Sequence, residues 1–210
     1  MLSALIPLIS SSLKDQSLFR SSHSRGYATK MTESTDHRLS GCWKPTHLQG
    51  KCYGSGSVEK HLLFCLPSSN SKVFIITGSS LAQKKPLVKQ VEDLLGSQYH
   101  AVTFPNIKQH APVAQLDEAT DAVSKDSTID TLISVGGGSP IDSAKAIPYL
   151  MHEKSANILY HIAIPTTLSA AECTFSAGYT SADDTKIGVA NPSLAPHVII
   201  YDAEFGMQTS

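Results

Sequence analysis

Thr131-Leu132-Ile133-Ser134-Val135-Gly136-Gly137-Gly138-Ser139-Pro140-Ile141-Asp142 is the stretch on which the fold turns. Its first five residues are a short, largely β-branched and apolar run, the pattern of a strand covered on both faces. Three glycines follow, and they let the backbone turn sharply and approach a ligand without Cβ obstruction. Pro140 then suits a first helical turn, and Ile141, Ala144, Ile147, Leu150 and Met151 recur at helical spacing. Ser139 stands where it can cap that helix, with Asp142 three residues later in a Ser-x-x-Asp arrangement. The free N–H groups at such a helix start form a seat for a pyrophosphate. Asp142 would repel a phosphate if it pointed inward, so it is expected to cap, or to hold Ser139 or a ribose hydroxyl. A purely structural glycine turn is the competing reading: GxGxxG requires a small residue where Ile141 stands, and the Gly-Lys-Ser/Thr of a P-loop is missing.

The same rhythm extends on both sides. Lys72–Thr77 reads as a buried strand ending in Gly78-Ser79-Ser80. A helix from Pro86 places Leu87, Val88, Val91, Leu94 and Leu95 on one face before Gly96 stops it. His100–Phe104 is the next strand, and Val113, Leu116, Ala119, Ala122 and Val123 mark the helix after it. Ile158–Ile164 follows, closed by Pro165. A hairpin of Phe175–Thr180 and Thr185–Ala190 turns at Ser181-Ala182-Asp183-Asp184, and His197–Tyr201 is the last strand. Strands alternating with amphipathic helices predict an α/β domain with a parallel sheet over residues 48–202, leaving 203–210 as a tail. Pro165-Thr166-Thr167 falls at the same carboxyl edge as the glycine loop, where open α/β sheets bind ligands, and its hydroxyls suit phosphate or ribose oxygens. They could equally cap a helix over Leu168–Cys173.

Composition narrows the partners. A net charge of -1, with 17 Lys+Arg spread along 210 residues, gives no basic stripe for nucleic acid. No apolar run approaches the roughly 20 residues that span a bilayer, so a small-molecule partner is expected, with no nucleic acid and no membrane. The 4 cysteines lack CxxC spacing, which favours reduced thiols over a zinc knuckle. Residues 1–30 carry Lys14, Arg20, Arg25 and Lys30 against the single acid Asp15, a composition expected of a mitochondrial transit peptide; a disordered extension of a cytoplasmic protein is the alternative. Of the 9 histidines, the nearest two, His152 and His161, lie nine positions apart, so none forms an i, i+3 or i, i+4 metal-ligand pair. No Ser-His-Asp or Cys-His constellation can be assigned, and the catalytic residues stay unassigned.

Gly136-Gly137-Gly138-Ser139-x-x-Asp142-x-x-Lys145, then Ile164-Pro165-Thr166-Thr167 and Glu172-x-Thr174, resembles the iron-containing (group III) alcohol dehydrogenases. The resemblance runs from about Tyr53-Gly54-Ser55-Gly56-Ser57 to Asp202, and His110-Ala111-Pro112-Val113 is most similar to maleylacetate reductases. It implies the dehydroquinate synthase-like fold of that family, with an N-terminal domain that binds NAD or NADP. On that basis Gly137, Gly138 and Ser139 contact the pyrophosphate, Gly136, Asp142, Thr166 and Thr167 line the cofactor, and Lys186 approaches the nicotinamide-side ribose, a solvated strand charge being the other reading of that lysine. Many members carry an Asp after the first strand that excludes a 2′-phosphate; Gly78 stands there in this chain, which favours NADP slightly. The family's C-terminal helical domain, with an Asp and three His for Fe²⁺ or Zn²⁺, is absent from this sequence, and no metal ligands are expected in it. The implied function is hydride transfer between nicotinamide and an alcohol or carbonyl, such as an oxo acid, by a truncated chain. The alternative is a non-catalytic nucleotide-binding fragment. An uncovered interdomain face would favour homo-oligomers or other association.

Overall fold

The computed structural model describes residues 41–43, 48–84, 86–152 and 159–208. The transit-peptide reading of residues 1–30 and the start of the expected strand at Ile158 lie outside the described residues. Among the described residues nine strands, β1 (Gly41–Trp43), β2 (Gly50–Tyr53), β3 (Val73–Thr77), β4 (His100–Phe104), β5 (Thr131–Gly136), β6 (Tyr160–Pro165), β7 (Ser176–Thr180), β8 (Lys186–Ala190) and β9 (Val198–Tyr201), form two sheets. The helices are α1 (Ser57–His61), α2 (Ser79–Lys84), α3 (Leu87–Tyr99), α4 (Val113–Ser124), α5 (Gly138–His152) and α6 (Ala203–Met207). The main sheet has the order β1-β2-β9-β6-β5-β3-β4, parallel throughout except for β1 on its edge. The fold is thus the α/β parallel-sheet architecture that the alternation of strands and helices predicts.

The buried centre follows from the apolar strands. Every residue of β3 and β5 is buried, and alternate side chains serve opposite faces of the pleat. On one face Ile75, Ile133, Ile162 and Ile164 pack with Leu87, Val88, Val91 and Leu95 of α3. On the other, Phe74, Ile76 and Leu132 pack with Leu116, Ala119 and Val123 of α4 and with Ala144 and Ile147 of α5. β7 and β8 form a separate antiparallel hairpin seated against α5.

The structure can be set beside the sequence reading at several places. β2 and β1 extend the sheet beyond the expected strands, with β2 paired to β9 near the far end of the chain. A short helix, α2, occupies the segment before Pro86. Gly96 takes φ 56° and ψ -174°, a non-helical conformation that glycine tolerates, so the regular turns of α3 stop there as the sequence predicts, and a short further turn beyond the kink reaches Tyr99. Residues 203–207 are not a tail. Asp202 caps α6 by accepting the Glu204 N–H at 3.0 Å, and its carboxylate also accepts the N–H groups of Gly56 (3.2 Å) and Val58 (2.9 Å), while Phe205 enters the core. That carboxylate pins the Tyr53–Ser57 loop to the end of β9.

Candidate functional site

Sheet order fixes where a ligand can sit. The chain runs from β3 outward to β4, then returns to β5 on the other side of β3 and proceeds through β6 to β9. The direction reverses between β3 and β5, and the crevice at the carboxyl ends of those strands is the switch point where open α/β sheets bind ligands. Gly78 follows β3 there, the glycine loop follows β5, and Thr166-Thr167 follows β6. The Thr166 N–H donates to the Gly136 carbonyl at 2.9 Å, which joins the last two segments.

Geometry leaves no room for a side chain at two of the loop glycines. Gly136 has φ +146°, and a Cβ there would lie 2.9 Å from Pro140 Cγ. A Cβ on Gly137 would lie 2.8 Å from Thr167 Oγ1. Gly138 has only ordinary room around it, with Ser169 Cβ 3.5 Å from its Cβ position. At Gly78 a Cβ would come within 3.2 Å of the Ile107 carbonyl.

Helix α5 begins two residues earlier than expected, at Gly138 and not Pro140, so Ser139 lies inside its first turn and is not the cap. Its Oγ instead accepts the His110 N–H at 3.0 Å. Asp142 does not cap either. Its Oδ2 accepts the Gly178 N–H of β7 at 3.3 Å, and Oδ1 lies 3.7 Å from Lys145 Nζ. Burial raises the Asp142 carboxyl above its ordinary range, against the opposing pull of Lys145.

Lys145 is buried to 1% exposure. Its ammonium donates to the carbonyls of Ala171 and Ser176 (2.8 Å for the latter) and to Thr174 Oγ1 at 3.0 Å. Burial lowers its pKa, and Asp142 and Glu172 counteract that. Glu172 is itself buried and accepts the Tyr201 hydroxyl proton at 2.8 Å. This cluster ties the glycine-loop helix to the 171–176 segment and to the hairpin.

Two neighbouring clefts lie at this edge. The larger, about 500 Å³, lies between Gly78, Ser80, Lys108, the glycine loop, Thr166 and Thr167. The smaller, about 270 Å³, lies among His110, Asp142, Gly178, Thr180 and Lys186. Gly138 and Ser139 line both. All nine residues singled out from the sequence, Gly78, Gly136, Gly137, Gly138, Ser139, Asp142, Thr166, Thr167 and Lys186, therefore border one or other of these two clefts. Ser80, expected beside Gly78, lines the larger cleft, whereas sequence reasoning missed Lys108 and the turn at His110. The signal was available: Ala111 precedes a proline, and the segment after β4 must end at the same edge as the other loops.

Residues 51–203 match the family described as iron-containing alcohol dehydrogenase. The chain belongs to that family. Among curated relatives, 1-propanol dehydrogenase PduQ of Citrobacter freundii is 30% identical over 166 residues, 76% of this chain and 42% of the relative. Maleylacetate reductase 2 of Cupriavidus pinatubonensis is 36% identical over 93 residues, 44% of this chain and 24% of the relative. The solved maleylacetate reductase of Agrobacterium tumefaciens superposes with a TM-score of 0.62 at 26% identity, over 76% of this chain and 42% of that structure. This member of the iron-containing alcohol dehydrogenase family thus spans less than half the length of these relatives.

The donor chemistry of the described residues does not fit the family's Fe²⁺ or Zn²⁺. Among them no three His, Cys, Asp or Glu side chains converge on a point. His161 Nε2 is hydrogen-bonded to Ser134 Oγ at 2.8 Å, and His197 Nδ1 accepts the His161 backbone N–H at 3.1 Å.

Proposed function

We propose that this chain holds a nicotinamide dinucleotide across the switch point, as the cofactor-binding part of an NAD(P)-dependent oxidoreductase that acts on an alcohol or its carbonyl. The observation that carries this reading is the pair of clefts sharing Gly138 and Ser139 at the start of α5. A pyrophosphate seated on the N–H groups of that first turn leaves one nucleoside for each cleft. The cofactor supplies hydride chemistry; the protein's own residues bind and orient it. Gly136 and Gly137 let the backbone come close, the Thr167 hydroxyl borders the phosphate seat, and Lys186 lies beside the ribose in the smaller cleft.

Gly78 bears on which cofactor fits. A carboxylate side chain there would crowd the Ile107 carbonyl and repel a 2′-phosphate, whereas the present lining offers Ser80 and Lys108. NADPH should bind at least as tightly as NADH when each is titrated by its fluorescence; a clear preference for NADH would overturn that assignment, and failure of both to bind would overturn the site. Gly137→Ala should weaken the preferred cofactor about tenfold, equivalent to about 1.4 kcal/mol, because the added methyl displaces Thr167. Unchanged affinity would show that this backbone approach does not matter for binding.

A second reading, a nucleotide-binding chain without turnover of its own, is favoured by one observation: the described residues hold no convergent metal-donor set. Reduction of a small oxo acid or aldehyde with NADPH and added Fe²⁺ or Zn²⁺ separates the two, since turnover excludes the second. Leu168 and Phe175 stand exposed on the segment leaving this edge, which supports association there with further polypeptide or another copy.

A further inference from the structure

His110 and Ala111 are consecutive non-glycine residues with left-handed backbone, φ 65° and 45°. A non-glycine residue held there is strained and persists only when its surroundings over-determine it. Here they do. The His110 N–H donates to Ser139 Oγ (3.0 Å), and the Thr180 hydroxyl donates to the His110 carbonyl (3.1 Å). The Thr180 N–H donates to the Ala111 carbonyl (3.2 Å), and the Ala111 N–H to the Lys108 carbonyl (3.2 Å). Ala111 is fully buried, while His110 is exposed on the wall of the smaller cleft. The turn is therefore held by the first turn of α5 and by β7, and it leaves His110 on the wall of the smaller cleft, beside Ser139, which lines both clefts.

No described residue bonds that ring, although its backbone N–H and carbonyl are both engaged. Across the smaller cleft stand Lys186 and Asp142, and the Asp142 carboxylate is already occupied by Gly178 and Lys145. The polar groups left for a ligand are thus a lysine ammonium, an imidazole and hydroxyls, a set that suits a sugar phosphate.

We infer that His110 is a cofactor-contacting residue, its imidazole binding the nicotinamide-side ribosyl phosphate of a dinucleotide whose adenosine half occupies the larger cleft. This rests on the dinucleotide reading above and extends it to a residue and to one half of the cofactor. The strained turn is the device that sets the ring there, since an ordinary extended or helical residue would direct the chain elsewhere.

The test compares a whole cofactor with half of one. Wild type, His110→Gly and His110→Asn are titrated with NADPH and with 2′,5′-ADP, which carries only the adenosine half. Glycine accepts the left-handed backbone without a side chain, and asparagine accepts it while keeping an amide donor. His110→Gly should weaken NADPH about tenfold and leave 2′,5′-ADP within twofold, with thermal stability unchanged or raised. His110→Asn should recover part of the NADPH affinity. Equal losses for both ligands would show a distorted site, and unchanged NADPH affinity would show no contact; either overturns the assignment while the dinucleotide reading stands. Failure of wild type to bind either ligand overturns the dinucleotide reading and this inference with it.

Discussion

Lowering the pH from 7.5 to 5 should remove about 4 kcal/mol of stability, because two buried histidines must stay neutral in the folded chain. Burial, with smaller contributions from His197 and Lys145, depresses His161 to about 3, and burial depresses His197 to about 4. Geometry supports the direction. His161 Nδ1 is buried with no hydrogen-bond partner among the described residues, so a proton placed there would be an unsatisfied buried donor. His197 Nδ1 is already an acceptor for the His161 N–H, and its ring stacks on Tyr160 at 4.3 Å. With folded values below the ordinary 6.5, the unfolded chain binds protons first as the pH falls. The stabilising preference is present above pH 6.5 and is lost progressively from 6.5 down toward 4 and 3. Each group contributes about 1.4 kcal/mol per pH unit in that window, so the pair loses about 4 kcal/mol by pH 5. That is a large share of the 5–15 kcal/mol that holds a typical domain. Urea unfolding at pH 7.5, 6 and 5 measures it, and His161→Gln, which can keep the bond to Ser134 without titrating, should remove about half the slope. Stability that stays level across that range would refute the argument.

Those two histidines also show where sequence reading stops. Their spacing ruled out a paired metal-ligand role on one helix face, but neither the Ser134 bond nor the His161–His197 pairing, 36 residues apart, has a local signature. The same division runs through the fold. β5 and the start of α5 were legible because apolar run, glycine turn and helical period follow one another within twenty residues. β4 was legible to both its ends for a similar reason. β2 was not: Gly50-Lys51-Cys52-Tyr53 has no strand pattern of its own and becomes a strand by pairing with β9, about 150 residues later. α6 was hidden likewise, since its cap, Asp202, acts also on the distant Gly56 and Val58. At the site, the residue types lining the two clefts could be named from motifs, but their partners could not. Ser139 and Asp142 were expected to serve the helix start that they follow in sequence. Instead they hold the loop after β4 and the hairpin, contacts that exist only once α5 is seated beneath them.

Lys145→Met should destabilise the domain by about 3–5 kcal/mol, the ordinary cost of breaking a buried charge pair by removing one partner. Methionine has a similar volume and fills the space, so the loss isolates the ammonium. The carbonyls of Ala171 and Ser176 and the Thr174 hydroxyl would lose the ammonium and keep only weaker neutral donors, and among the described residues Asp142 would keep a half-buried carboxylate facing the Gly178 N–H alone. Asp142→Asn alone should cost less, because an amide can still accept from Gly178 and leaves Lys145 its three other partners. Combining the two should cost less than the sum of the singles, since the second change removes the carboxylate that the first left unpaired. Strict additivity in urea unfolding would mean that Asp142 and Lys145 do not act as a pair. The consequence for the site is separate from stability. Through Lys145 and Asp142 the helix that starts at the glycine loop fixes β7, and β7 in turn fixes Lys186 on β8 and the turn at His110. Loosening that connection should therefore weaken NADPH more than 2′,5′-ADP even at temperatures where the variant stays folded. An equal effect on both would place the loss in the fold as a whole and not in the smaller cleft.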